Sequence, residues 1–139
     1  MLLTLTIVFA TTFLSCSKDE TSTSSIVGKW KTEKFDYYEN GQFQGTDITV
    51  EDNSNCPDYV EFKTNGSYES IEKDANCASM VDESGTYVLN GTTLTYNSSS
   101  SSNIVTVTSL TATDLKIEFI ETSSQGVVFK NVGYFKKIN

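Results

Sequence analysis

Tyr59-Val60-Glu61-Phe62-Lys63-Thr64-Asn65-Gly66-Ser67-Tyr68-Glu69-Ser70-Ile71 carries the chain's plainest structural signal. Val60 and Phe62 alternate with Glu61 and Lys63, so a chain of period two puts apolar groups on one face and charges on the other. Asn65-Gly66 then separates two β-rich runs, and Asn-Gly in that setting is a strong short-range hairpin signal. This segment is therefore a β-hairpin with one face turned to a core.

Outward from the hairpin the same grammar repeats. β-rich runs cover 26–38 and 43–50 before it, and 85–89, 92–96, 104–110, 115–122 and 127–138 after it. Polar or turn-rich stretches separate them: 39–42, an acidic loop at 51–55, a long polar loop at 73–83, Asn90-Gly91, 98–102, Ala112-Thr113-Asp114 and 123–126. Leu115, Ile117 and Phe119 alternate with Lys116 and Glu118, again a half-buried strand. Short runs at such regular spacing, with no helical period after residue 26, mark an all-β sandwich or barrel. About nine strands joined by hairpins predict an antiparallel, up-and-down sheet. Closure into a barrel would remove its exposed edges. A small sandwich is the alternative that the pattern alone leaves open.

The beginning of the chain reads differently. Residues 2–14 are uncharged and mostly apolar, and Ser15-Cys16 follows. The run is shorter than the roughly 20 residues that span a bilayer, which makes it a signal h-region. Phe13-Leu14-Ser15 before Cys16 resembles the lipobox of bacterial lipoproteins, although no Lys or Arg precedes the h-region. The resemblance implies cleavage after residue 15 and acyl chains on Cys16. Two or three such chains anchor a protein durably where one does not. Ser17-Lys18-Asp19-Glu20 resembles the surface-export signal of Bacteroidetes lipoproteins, which implies an outer-membrane address facing outward, with the periplasmic leaflet as alternative. Residues 16–25 then form the lipidated cysteine and a flexible polar tether. Residues 26–139 form one domain.

With Cys16 assigned to lipid, two of the three cysteines remain. Cys56 and Cys77 flank the central hairpin and fall nearly opposite each other at its open end. In an oxidising compartment they are expected to pair, and closing a loop of roughly 20 residues stabilises by about 3 kcal/mol in the chain-entropy model. Two thiols in a chain without histidine make a poor zinc set.

Composition narrows the function classes. The formal net charge of −8 disfavours nucleic acid, whose phosphates need a basic patch, and also anionic membrane surfaces. Without histidine or a spare thiol, and with no serine in a Gly-x-Ser-x-Gly setting, no nucleophile has an activating base. Carboxylate pairs such as Glu51/Asp52 and Asp82/Glu83 lie in predicted loops, where solvation leaves them unsuited to acid–base work. The chain is therefore read as non-enzymatic, without cofactor or metal. Glu51 to Asn55 with Asp58 is rich in oxygen ligands but lacks the spacing and glycine of an EF-hand loop. Asn65, Asn90 and Asn97 fit the N-glycosylation pattern and are read as turn residues.

Ile26-Val27-Gly28-Lys29-Trp30-Lys31 resembles the Gly-x-Trp signature of the lipocalins. The 59–68 hairpin, the hairpin Gly85-Thr86-Tyr87-Val88-Leu89-Asn90-Gly91-Thr92-Thr93-Leu94-Thr95-Tyr96, Leu110 to Ile117, and Tyr134-Phe135-Lys136-Lys137-Ile138 follow in matching order. Together they are similar to the lipocalin-like lipoproteins of Bacteroidetes, over nearly all of 26–138. The resemblance implies an eight-stranded antiparallel barrel closed at one end by Trp30, with Gly28 and Trp30 as the base signature and Lys136 or Lys137 over the indole. It also implies a monomer that binds a small hydrophobic ligand. Phe62, Tyr68, Tyr87, Leu94, Tyr96, Ile117 and Phe119 are the candidate lining residues. If the interior were filled instead, the protein would be a surface interaction or adhesion module that binds protein or glycan through its loops, with Tyr37, Tyr38 and Phe43 as contact residues.

Metabolic labelling with a fatty-acid analogue is expected to mark the wild-type protein and to leave Cys16→Ala unlabelled. Equal labelling of both would remove Cys16 as the anchor.

Overall fold

A computed structural model describes residues 24–49 and 55–139. The expected signal peptide, Cys16, most of the tether and positions 51–54 of the acidic loop lie outside the described residues. Nine strands make up the fold: β1 (Gly28–Glu39), β2 (Gln42–Ile48), β3 (Tyr59–Phe62), β4 (Ser67–Lys73), β5 (Ser79–Asn90), β6 (Thr93–Ser98), β7 (Ser102–Leu110), β8 (Asp114–Thr122) and β9 (Val128–Ile138). All neighbours pair antiparallel.

β1 organises the topology because it is long enough to pair with three strands. Along one edge it meets β9 from Lys29↔Ile138 to Glu39↔Phe129. Its other edge is shared: Gly28, Lys29 and Trp30 pair with Phe62, Glu61 and Val60 of β3, while Lys34 to Glu39 pair with β2. The sheet runs from β3 through β9 and returns to β1, an eight-stranded barrel with β2 as an extra strand beside it. The β1–β9 pairing closes the sheet on itself, which rules out the sandwich. β2 is held from outside by Asp36, the one buried charged residue among those described. Its carboxylate accepts hydrogen bonds from Thr46 Oγ1 of β2 at 2.6 Å and from Lys34 Nζ at 3.0 Å.

Trp30 closes one end and is fully buried. Its indole Nε1–H donates to the Ile26 carbonyl at 2.7 Å, so the one polar atom of the ring is satisfied inside the plug. Lys137 Nζ stands 5.1 Å from the ring centroid and donates to the Val27 carbonyl at 2.8 Å. Of the two lysines offered for this position it is Lys137 that covers the indole; Lys136 points elsewhere and pairs with Asp114. Gly28 is required here. Its φ of +134° is unfavourable for other residues, and a Cβ would lie 2.5 Å from Lys137 Cε. Ile26, Phe62, Tyr68, Leu94, Val105, Val107 and Leu115 complete the buried core around Trp30.

The central hairpin folds as its sequence requires, with Phe62 opposite Tyr68 and Gly66 N–H donating to the Lys63 carbonyl in the turn. Cys56 and Cys77 form a disulfide with Cα atoms 5.6 Å apart. The polar stretch 73–83 departs from expectation. Only its first part is loop, because β5 begins at Ser79 and pairs Ser79, Met80 and Val81 with Lys73, Glu72 and Ile71. Residues 79–82 are all exposed, so no apolar alternation marks the strand. Its partner's backbone and the nearby disulfide hold it instead.

Replacing Trp30 by Ala is expected to cost about 3–5 kcal/mol, as for large buried aromatics, read as a lowered urea midpoint with unchanged slope. A loss under about 1 kcal/mol would show that the base does not depend on the indole.

Candidate functional site

Above the Trp30 plug the barrel keeps an open interior. Inward positions of successive strands line a cavity of about 240 Å³. Of the residues expected from the sequence, Phe62, Tyr68, Leu94, Tyr96, Ile117 and Phe119 stand on its wall. Tyr87 does not. Its ring packs edge-on against Phe62 at 4.9 Å and its hydroxyl donates to the Lys63 carbonyl at 2.9 Å, which commits it to the floor near the β3–β4 turn.

Several wall residues were not anticipated. Phe35 of β1 and Phe135 of β9 face each other edge-on at 6.1 Å, and Val60 and Val105 add aliphatic surface. Phe35 faces inward because a bulge in the β1–β9 register between Thr32 and Lys34 shifts the alternation of β1 by one. Glu83, Ser70 and Asn131 are the polar members of the wall besides the tyrosines. Glu83 is not the solvated loop charge that its sequence context suggests. Because β5 starts early, it lies opposite Ser70 within the sheet and faces the interior. A second hollow of about 360 Å³ adjoins the first and shares Phe35, Val60, Ser70 and Phe135 with it, while Asp58 and Glu72 stand on its rim.

Tyr68 is the focus of the polar wall. Only 3% of its surface is exposed, and its hydroxyl lies beside Glu83 and Ser98 but in good hydrogen-bond geometry with neither. The ring lies against Gly85, its cross-strand partner, where a Cβ would be 3.0 Å from Tyr68 Cε1 and 1.9 Å from the Asn97 carbonyl oxygen. Glycine is thus the residue that lets this aromatic lie flat on the wall. Tyr96 meets Tyr68 edge-on at 5.7 Å. Burial, with the negative charge of Glu83 adding to it, pushes the Tyr68 phenol up to about 12. The same two causes in the same order raise Tyr96.

The residues of the alternative surface reading lie around β1 and β2. Tyr38 and Phe43 touch edge-on at 5.6 Å, Lys130 Nζ is 4.5 Å from the Tyr38 ring, and Phe43 is largely exposed. Tyr37 is half-buried on the other face of β1 and does not join that pair. Among the described residues no group of acids and cysteines is placed to hold a metal ion. The Gly28 and Trp30 signature belongs to the base and not to the cavity wall.

A family model described as a lipocalin-like domain matches residues 26–117. No curated protein matches the sequence significantly. Among solved structures, bovine odorant binding protein in complex with undecanal is similar at 17% identity and a TM-score of 0.43, over 86% of this chain and 76% of that one. Aphrodisin, described as a sex pheromone from female hamster, is similar at 14% identity and a TM-score of 0.41, over 83% and 76%.

The buried phenol predicts an alkaline transition. Because the folded Tyr68 holds its proton to about pH 12 and an unfolded tyrosine loses it near 10, the group leaves stability unchanged below pH 10. From 10 to 12 the unfolded state binds fewer protons, so stability falls. Ultraviolet titration of tyrosinate should show a late-ionising fraction that Tyr68→Phe reduces by its last-ionising group, with Tyr96 still titrating above the ordinary value. Uniform titration of all tyrosines near pH 10 in the folded protein would contradict the buried placement.

Proposed function

Because the chain belongs to the lipocalin-like domain family, we propose that its barrel carries a small hydrophobic molecule in the cup, without catalysing a reaction, as a monomer anchored to the outer membrane through acyl chains on Cys16. The apolar interior above Trp30 carries this reading. Phe35, Phe62, Leu94, Ile117, Phe119 and Phe135 surround one hollow, and transfer of apolar ligand surface out of water contributes about 25 cal/mol per Å². A cavity of about 240 Å³ lies just below the usual range of about 300–1,000 Å³ for ligand pockets, which suits a single short chain or one ring system. Non-enzymatic binding also accords with a chain that has no histidine.

The anchor fits this arrangement. Ile26 packs in the core beside Trp30, so the chain enters the barrel at its closed end. The lysine and acids after Cys16 favour the outward-facing side of the outer membrane. A second reading, a surface module that binds protein or glycan, draws on the exposed apolar residues Phe43, Ile48, Met80, Ile120 and Phe129. The apolar interior favours the carrier.

Native mass spectrometry of residues 17–139, expressed with the disulfide intact, separates the two. A co-purified or added hydrophobe of a few hundred daltons is the expected result. An unliganded mass together with no binding of a fluorescent hydrophobic probe would overturn the carrier and leave the surface module.

A further inference from the structure

We propose that the cup selects a hydrophobe with a protonated amine at its end, which Glu83, Tyr68 and Tyr96 receive. The proposal rests on the carrier reading and adds the chemical class of the ligand.

Three observations lead to it. Among the described residues Glu83 is the only charged side chain on the wall of an otherwise largely apolar cavity. Beside it the buried Tyr68 hydroxyl is in good hydrogen-bond geometry with neither of its polar neighbours, Glu83 and Ser98, and buried polar groups left so poorly satisfied are uncommon and costly. A ligand that supplies several donors at one end would satisfy both groups, donating to the carboxylate and to the phenolic oxygen. An ammonium has three donors and no acceptor. The rings of Tyr68 and Tyr96 stand edge-to-face on the same wall and would offer their negative faces to a cation.

The sign of the surroundings decides between ligand heads. No lysine lines the cavity or the hollow that adjoins it, whereas Glu83, Asp58 and Glu72 do. A carboxylate head would meet the like charge of Glu83 with no cation on the wall to offset its desolvation. A hydroxyl head could donate one hydrogen bond to Glu83 but brings no charge. The net charge of −8 draws cations toward the mouth and repels anions. Ammonium, then alcohol, then carboxylate is the resulting order.

The test titrates residues 17–139 with octylamine, 1-octanol and octanoate at neutral pH, followed by calorimetry; the closed barrel holds every described strand within this piece. Octylamine should bind at least about tenfold more tightly than octanol, the gain expected of a charge-assisted hydrogen bond in a dry site. Octanoate should be weakest. Glu83→Gln should bring octylamine to the level of octanol while octanol binding persists, which also shows that the variant folds. Glu61→Gln removes the same charge from the outer face of β3 and should leave the preference intact. Tyr68→Phe should weaken octylamine several-fold. Octanol binding with no preference for the amine, or equal loss of preference in Glu61→Gln, overturns the amine site and leaves the carrier. Failure of all three ligands to bind overturns both.

Discussion

The closure of the barrel base by Trp30 is the constraint on which the rest depends. A fully buried indole must place its N–H, and it does so on the Ile26 carbonyl, which draws the chain entering the domain across the barrel end. Lys137 covers the ring and ties the last strand to Val27. That approach is open because position 28 has no Cβ. The two ends of the domain, 26–30 and Lys137, meet at one side chain, and the β1–β9 seam that closes the sheet begins there.

Sealing one end gives the other its meaning. A sheet open at both ends would admit water through its length, whereas this barrel makes a cup with a hydrophobic floor. β1 runs beyond the floor, and its upper half pairs with β2 instead of β3. The anchored Asp36 keeps that extra strand in place from outside, and Phe35, one residue earlier, faces the cup. Along the opposite wall, Gly85 makes room for Tyr68, and the early start of β5 carries Glu83 inward. Structural residues at the base and polar residues in the wall are therefore separate sets.

Much of this was legible in the sequence, and what was not has identifiable causes. The hairpin with Val60 and Phe62 inward follows from alternation and turn chemistry and the disulfide from cysteine count, whereas the closing role of Trp30 follows from the resemblance of 26–31 to the lipocalin signature. Phe35 was missed because a bulge changes which residues of β1 face inward, and bulges leave no reliable mark in one sequence. Glu83 was missed because residues 79–82 are polar or exposed, so strand β5 begins without an apolar period. Tyr87 resembles its neighbours in composition, yet its hydroxyl belongs to the β3–β4 turn. Alternation gives the face of a side chain; it does not give height above the floor.

Nuclear Overhauser contacts from a bound octyl chain test directly whether the hydrophobe sits inside the barrel. Contacts to the methyl groups of Leu94, Val105 and Ile117 are predicted, together with the ring protons of Phe119. Contacts confined to Phe43, Ile48 and Ile120 on the outer surface would contradict it.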